Sequence, residues 1–444
     1  MAHPPDANHP EHGPSACSLS GCGEIRAMER VADEVSEAVT PPARRRRLFR
    51  LDEVEGETLD GVLTARGRER RSLLKAGGLL AGCAAAGPLF ASACATTGGG
   101  SSRSAASSGA PLFPPAGGRV HTVESSNQTV KLGVFDTTLP NILEIEPGDT
   151  IVYPRTWSHF LDRIQPGVPV ADIARWRTEN PGKGPHSIIG PVAVRGAEPG
   201  DLLEIQYHRI LPREWACNFN NPGTLKTGAL PEAFPEGQVK YFTLDLDRMK
   251  TSFGPDIDLP LLPFQGTLGL APPDGFFGVT NGVYSSVPPG PHGGNTDLRE
   301  MGEGSRMFLP VWQRGGRIYT GDSHALQGDG EVSLTALETA MQELRIRVML
   351  HKNAGWKWPI AETATHFIPL GLDKDLGTAF RIALENAIEF LVKRAGLTPL
   401  DAYSLCSLGV SFRVTQVVDV NKGVHAMIPK SLFSGGLRTR ISVV

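Results

Sequence analysis

From about residue 118 to about residue 360 the chain alternates short apolar runs with Gly-Asp and Pro-Gly pairs, which predicts many short strands joined by tight turns. Leu344, Ile346, Val348 and Leu350 alternate with polar or differently shaped residues, as in a strand with one face on a core. Ile142-Leu-Glu-Ile-Glu-Pro-Gly-Asp149-Thr-Ile-Val-Tyr153 and Gly190-Pro-Val-Ala-Val-Arg-Gly-Ala-Glu198-Pro-Gly-Asp201-Leu-Leu-Glu-Ile205 repeat one strand–turn–strand unit around the same Glu-Pro-Gly-Asp turn, which predicts a duplicated hairpin. Helical spacing appears late. Leu376, Ala379, Phe380, Ala383, Ala387, Ile388 and Leu391 mark a helix over about 373–395, and Thr398-Pro399 supplies an N-cap and first-turn proline for a shorter one. Strand pattern then returns over 409–418 and 424–428, with a turn at 419–423. The fold class is mainly β with a small helical excursion near the C-terminus.

The first quarter reads differently. Arg70-Arg71-Ser-Leu-Leu-Lys75 and the small, weakly apolar run Ala76 to Cys94 have the form of a twin-arginine export signal, although Glu69 and Leu73 depart from the usual residues beside the arginines. An amphipathic surface helix is the plainer alternative. Leu80-Ala-Gly-Cys83 has lipobox spelling, while Ala91-Ser-Ala-Cys94 ends a fuller run and also suits ordinary signal peptidase. A lipid anchor on Cys83 or Cys94 and a soluble periplasmic product therefore both stay open. Residues 1–69 read as disordered or as lying ahead of the true start, 96–117 as a Gly/Ser linker, and 118–444 as the folded domain.

Composition narrows the functional classes. A net charge of −3 and the absence of a basic stripe with interleaved aromatics in the body argue against nucleic-acid binding. Of six cysteines only Cys217 and Cys406 fall in the domain, so a disulfide framework is not indicated.

Two glycine-framed polar clusters carry the chemistry. In Gly290-Pro-His292-Gly-Gly-Asn295-Thr-Asp297 the glycines allow a sharp turn that converges His292, Asn295 and Asp297. In Gly321-Asp322-Ser-His324-Ala-Leu-Gln327-Gly-Asp329-Gly-Glu331 a strand over 317–325 projects Asp322 and His324 together, and the following turn presents Glu331. Taken singly, each is as well explained by Asp and Asn satisfying backbone amides and by a core histidine. His186 before an apolar run is a third candidate. Histidine and carboxylate donors with few thiols favour zinc or manganese, whereas an all-oxygen set favours calcium or magnesium.

His186-Ser-Ile-Ile-Gly-Pro, Gly196-Ala-Glu-Pro-Gly-Asp201, His292-Gly-Gly-Asn-Thr-Asp297, the 321–331 cluster and Val414-Thr-Gln-Val-Val-Asp419 with Gly423-Val follow one another as in the acetamidase/formamidase family, which 118–444 resembles over nearly its whole length. The resemblance implies a β-sandwich-like domain, homo-oligomers, a divalent metal, and hydrolysis of a small carboxamide to a carboxylate and ammonia. It singles out Asn295, Asp297, Asp322, His324, Asp329, Glu331 and then His186. We assign His186, Asp297, Asp322 and His324 to a divalent metal, zinc being favoured, Glu331 with Asp329 beside it to proton transfer, and Asn295 to the amide oxygen. Ser411 and the segment Trp157-Ser-His-Phe-Leu-Asp162 depart from the family's usual acidic features. The expected protein is an exported amidohydrolase acting on linear amides. The alternatives are a non-catalytic exported β-sandwich that binds a metal or ligand, and a cysteine amidase built on Cys217.

Overall fold

The computed structural model describes residues 117–444 together with Phe113; the export signal, the extension before it and most of the linker lie outside these residues. Strands dominate, in two nine-stranded sheets. The first sheet runs, neighbour by neighbour, through Val120–Thr122, Thr150–Pro154, Met341–His351, Leu202–Pro212, Arg306–Pro310, Ile360–Glu362, His366–Asp373, Lys422–Pro429 and Ser411–Val414. The second runs through Gly293–Asn295, Phe264–Gly269, Ile318–His324, Glu338–Thr339, Trp215–Asn220 and Gln238–Thr243, with Ser187–Val194 beside Ile318–His324 and paired in turn with Val130–Leu132 and Leu143–Ile145.

Ile151, Tyr153, Leu203, Ile205, Ile346 and Val348 of the first sheet and Ile189, Val192, Phe264, Leu268 and Ile318 of the second belong to one buried cluster, which makes the domain a sandwich. The alternation expected at 344–350 is part of the long Met341–His351 strand.

The two Glu-Pro-Gly-Asp turns form, but not as hairpins. Leu143–Ile145 and Ser187–Val194 lie in the second sheet, whereas the strands that follow them, Thr150–Pro154 and Leu202–Pro212, lie in the first. Each turn is a corner between layers. Asp149 Oδ2 accepts from the Glu146 N–H at 3.0 Å, and Asp201 Oδ2 accepts from the Glu198 N–H at 2.8 Å, so the same side chain closes both corners. The duplication is nevertheless spatial: Leu143 and Ile145 pair in parallel with Val192 and Val194, and both outgoing strands flank Met341–His351.

The helix Leu376–Phe390 starts where Asp375 Oδ1 accepts from Thr378 N, and continues as a wider turn over Leu391–Ala395. Thr398 Oγ1 caps Pro399–Gly409 through Asp401 N, as Thr398-Pro399 predicts. Ser411–Val414 and Lys422–Pro429 form the expected hairpin. The helix Val170–Glu179 was not legible, because only Ile173 and Trp176 on it are buried and the rest of its surface is charged or small. Among the described residues no helix is long and apolar enough to cross a membrane.

Candidate active site

The site is built on the second sheet. His324 stands directly opposite Phe264 on one neighbour and Glu338 on the other, so strand register puts an imidazole and a carboxylate side by side. Asp322, Asp297 and Glu331 all have left-handed backbones, with φ of 59°, 49° and 47°. Positive φ in a carboxylate residue that is not glycine is an outlier of the kind that accumulates at functional sites.

The segment 157–162, noted in the sequence only as a departure from the family pattern, completes this floor. Phe160, Leu161 and Asp162 form a left-handed turn, with φ of 54°, 60° and 65°, at a cost of about 1–2 kcal/mol per residue. Burial of Phe160 beside Trp176, together with hydrogen bonds from Phe160 N to Pro185 O and from Leu161 N to Ser187 Oγ, offsets it. The turn leaves His159 buried against the sheet.

Four side chains close a ring. His159 Nε2 lies 3.4 Å from Asp322 Oδ1 and 3.6 Å from Glu338 Oε2, and His324 Nε2 lies 3.3 Å from each of the same two oxygens. Two imidazole nitrogens and two carboxylate oxygens thus alternate around a ring, and these donor types suit a divalent cation such as zinc. Gln327 Oε1 sits 3.0 Å from His324 Nδ1 and Ser286 Oγ 2.8 Å from His186 Nδ1, which turns the Nε2 atoms of both rings inward. His186 Nε2 is 3.8 Å from Asp322 Oδ2.

Beside the ring lies an acidic trio, Asp297, Glu331 and Asp419, whose carboxylate oxygens approach within 4.8 Å of one another. Both Asp297 oxygens, Glu331 Oε2, Glu338 Oε2 and Asp419 Oδ2 are buried without a hydrogen-bond partner. Buried, unpartnered carboxylates are costly unless protonated or gripping a cation. Burial and the nearby Asp322 charge push the Asp297 carboxyl up to about 7, and burial with the neighbouring acids pushes Glu331 and Asp419 well above the ordinary range. Asp322 goes the other way: burial opposes its charge, but the His186, His324 and His159 rings outweigh burial and hold it well below that range. Burial also opposes charge on His324, yet Glu338 and Asp322 raise its pKa. Burial keeps His186 neutral, lowering it to about 3. The donor set therefore fits a divalent cation.

His159, His186, Asp297, Asp322, Glu331, Glu338 and Asp419 line a cavity of about 450 Å³, with His324 behind them. Ile173, Phe219, Leu334 and Val418 contribute apolar wall, and Arg177, Lys226 and Lys422 also line it. Thr267 Oγ1 donates to Asn295 Oδ1, leaving the Asn295 NH₂ without a protein acceptor among the described residues.

Of the residues singled out by sequence, His186, Asn295, Asp297, Asp322, His324 and Glu331 are thus brought together. Asp329 is not. It is exposed and faces Arg413 Nε at 3.3 Å and Arg299 at 3.8 Å, outside the cavity lining, so the pairing of Asp329 with Glu331 is corrected. With Glu300 and His425 it forms a further acid–histidine group, but Arg413 and Arg299 already balance that charge. His292 does not converge with Asn295 and Asp297 either; it is buried edge-on against Phe135 and Phe276. Cys217 is fully buried, its thiol pushed well up by burial and by Glu338, and it does not line the cavity; this removes the physical basis for a cysteine amidase.

Three site residues were missed. His159 stands in the segment noted as a departure, Asp419 ends a motif noted for resemblance, and Glu338 carries no local signal. Gly266 also matters: a Cβ there would lie 2.4 Å from Asp297 Oδ1 and 2.8 Å from Asp322 Oδ2.

A β-sandwich whose central strands floor a cavity with buried histidines and carboxylates is the class of protein that this fold and site define. The sequence profile of the Acetamidase/Formamidase family matches residues 124–282 and 278–435, and the chain belongs to that family. It is 25% identical over 319 residues to a formamidase of Methylophilus methylotrophus, covering 57% of this chain and 78% of that protein. It is 28% identical over 299 residues to an acetamidase of Mycolicibacterium smegmatis, covering 51% and 73%. A solved acetamidase from Yersinia enterocolitica superposes with a TM-score of 0.63 at 30% identity, covering 71% of this chain and 93% of the other.

Proposed function

We propose that the protein hydrolyses a carboxamide to a carboxylate and ammonia. The observation that carries this reading is the ring of His159, Asp322, His324 and Glu338, of which His159, Asp322 and Glu338 line a cavity that Glu331 and Asn295 also line. Relatives named as a formamidase and an acetamidase support the reaction class.

The four ring residues would hold a divalent cation, for which their donor types favour zinc. When bound, such a cation polarises the amide carbonyl and lowers the pKa of water. Asn295 donates its NH₂ to the amide oxygen. Glu331, buried and without a partner at Oε2, takes a proton from the attacking water and returns it to the leaving nitrogen as the C–O bond forms and the C–N bond breaks. His186, kept neutral by burial, and Ser286 hold the flank of Asp322 in place. The apolar walls exclude bulk water and strengthen each of these interactions.

Export through the twin-arginine pair at Arg70-Arg71, with a periplasmic or lipid-anchored product, belongs to the same reading and is supported by the motif. Homo-oligomerisation is likewise part of it. Ammonia release from formamide, acetamide and longer amides by metal-loaded protein, with metal content measured on the same sample, tests the central claim. Failure of metal-loaded protein to turn over any amide would leave a binding protein instead.

A further inference from the structure

Acetamide has four heavy atoms and, taking about 30 Å³ for a water-sized group, fills on the order of 100 Å³. The cavity of about 450 Å³ is far larger and lies within the range that encloses substantially bigger ligands. Its lining carries both signs of charge. The floor is a set of buried carboxylates and histidines, whereas Arg177, Lys226 and Lys422 are half-buried or exposed. The same lining includes the apolar side chains of Ile173, Phe219 and Leu334.

Arg177 donates Nη1 to Lys183 O, and none of the three cations is neutralised by an ion pair. Among the described residues none has a carboxylate within the 4.0 Å of an ion pair. Lys422 stands opposite Asp373 in strand register without pairing with it. Two lysines and an arginine lining one cavity attract a negative group and fix which end of a ligand enters first.

We infer that the preferred substrate is a carboxamide whose far end is an anion, a monoamide of an aliphatic dicarboxylic acid; this rests on the amide-hydrolase reading above. The amide reaches the floor, the methylene chain lies on Phe219, Ile173 and Leu334, and the terminal carboxylate meets Lys226, Lys422 and Arg177. Hydrolysis consumes one water, breaks the C–N bond, and yields a dicarboxylate and ammonium. The reaction that supplies such a substrate is therefore one that amidates a single end of a diacid, or opens a cyclic imide.

The test compares adipic acid monoamide with its neutral methyl ester, each as an amide substrate of the metal-loaded protein. The acid is expected to have kcat/KM roughly tenfold or more above the ester, with the advantage shrinking as salt is added. In the double variant Lys226→Gln, Lys422→Gln the acid-to-ester ratio should collapse toward one through KM, with the melting temperature confirming the fold. Equal kcat/KM for acid and ester, or an unchanged ratio in the double variant, overturns the inference while leaving the amidase reading intact. Calorimetric titration of adipic acid monoamide into metal-loaded Glu331→Gln protein reads the same selectivity without turnover. Selective binding without hydrolysis by the wild type would sink the amidase reading and keep the anion-recognising cavity.

Discussion

Glu338 Oε2 lies 3.3 Å from His324 Nε2 because the two residues are direct cross-strand partners in the second sheet. Glu338 Oε2 is buried without a hydrogen-bond partner, and the same oxygen lies 3.6 Å from His159 Nε2. Two imidazoles converging on one buried carboxylate oxygen make a stronger case for a cation than any single residue of the sequence motifs.

His159→Ala and Glu338→Gln should each lose metal as completely as His324→Ala does. Outer-shell changes at metal sites typically cost 10- to 100-fold in affinity, so loss of a direct donor should weaken binding by at least about tenfold. Metal content after dialysis against a weak chelator checks this; full occupancy in either variant would remove that residue from the ligand set.

Glu331→Gln preserves shape and leaves the four ring residues untouched. Turnover should fall by about a hundredfold or more, the usual scale of general acid–base catalysis, with metal content unchanged. Ammonia release and elemental analysis on one preparation separate proton transfer from metal binding.

Gly266→Ala tests the close approach of backbone to the acids. The added methyl would meet Asp297 Oδ1 at 2.4 Å, His324 Cε1 at 2.7 Å and Asp322 Oδ2 at 2.8 Å, so those side chains must move. The expected outcome is a folded protein with little activity and weakened metal binding. Retained activity would show that the three side chains have room to yield.

The acidic trio makes the chelated protein sensitive to alkali. A carboxyl with a raised folded pKa contributes stability that is present below its unfolded pKa and lost as pH rises through the folded value, between 3.8 and about 7 for Asp297. Glu331 and Asp419, raised further, extend the loss upward. Above pH 6.5 the unfolded histidines are neutral, so the opposing contribution of His186 fades, while the raised pKa of His324 adds stability that is likewise lost as pH rises. The melting temperature of chelated protein should therefore fall between pH 6.5 and about pH 8, and added zinc should flatten the dependence. A flat profile without metal would mean that the trio is not protonated.

Two substitutions mark the edge of the site. Asp329→Asn should change kcat less than about threefold, since loss of a part-exposed contact to Arg413 is worth under about 1 kcal/mol. Cys217→Ala should keep full activity while costing about 1–2 kcal/mol of stability through a small cavity. Steady-state kinetics and denaturant titration decide both.

What the sequence determined by itself was local. Alternation at 344–350, the Asp-closed turns at Asp149 and Asp201, the Thr398-Pro399 helix start and the polar glycine clusters each depend on residues a few positions apart, and all are present in the fold. Only the tertiary structure decided that the two turns are corners between sheets, because a turn sequence specifies a bend and not the strand that the next segment joins. It also decided the membership of the site. His159, Glu338 and Asp419 enter it, and Asp329 and His292 leave it, because strand register and left-handed backbones set the direction of each side chain, and both are fixed by contacts between segments far apart in the chain.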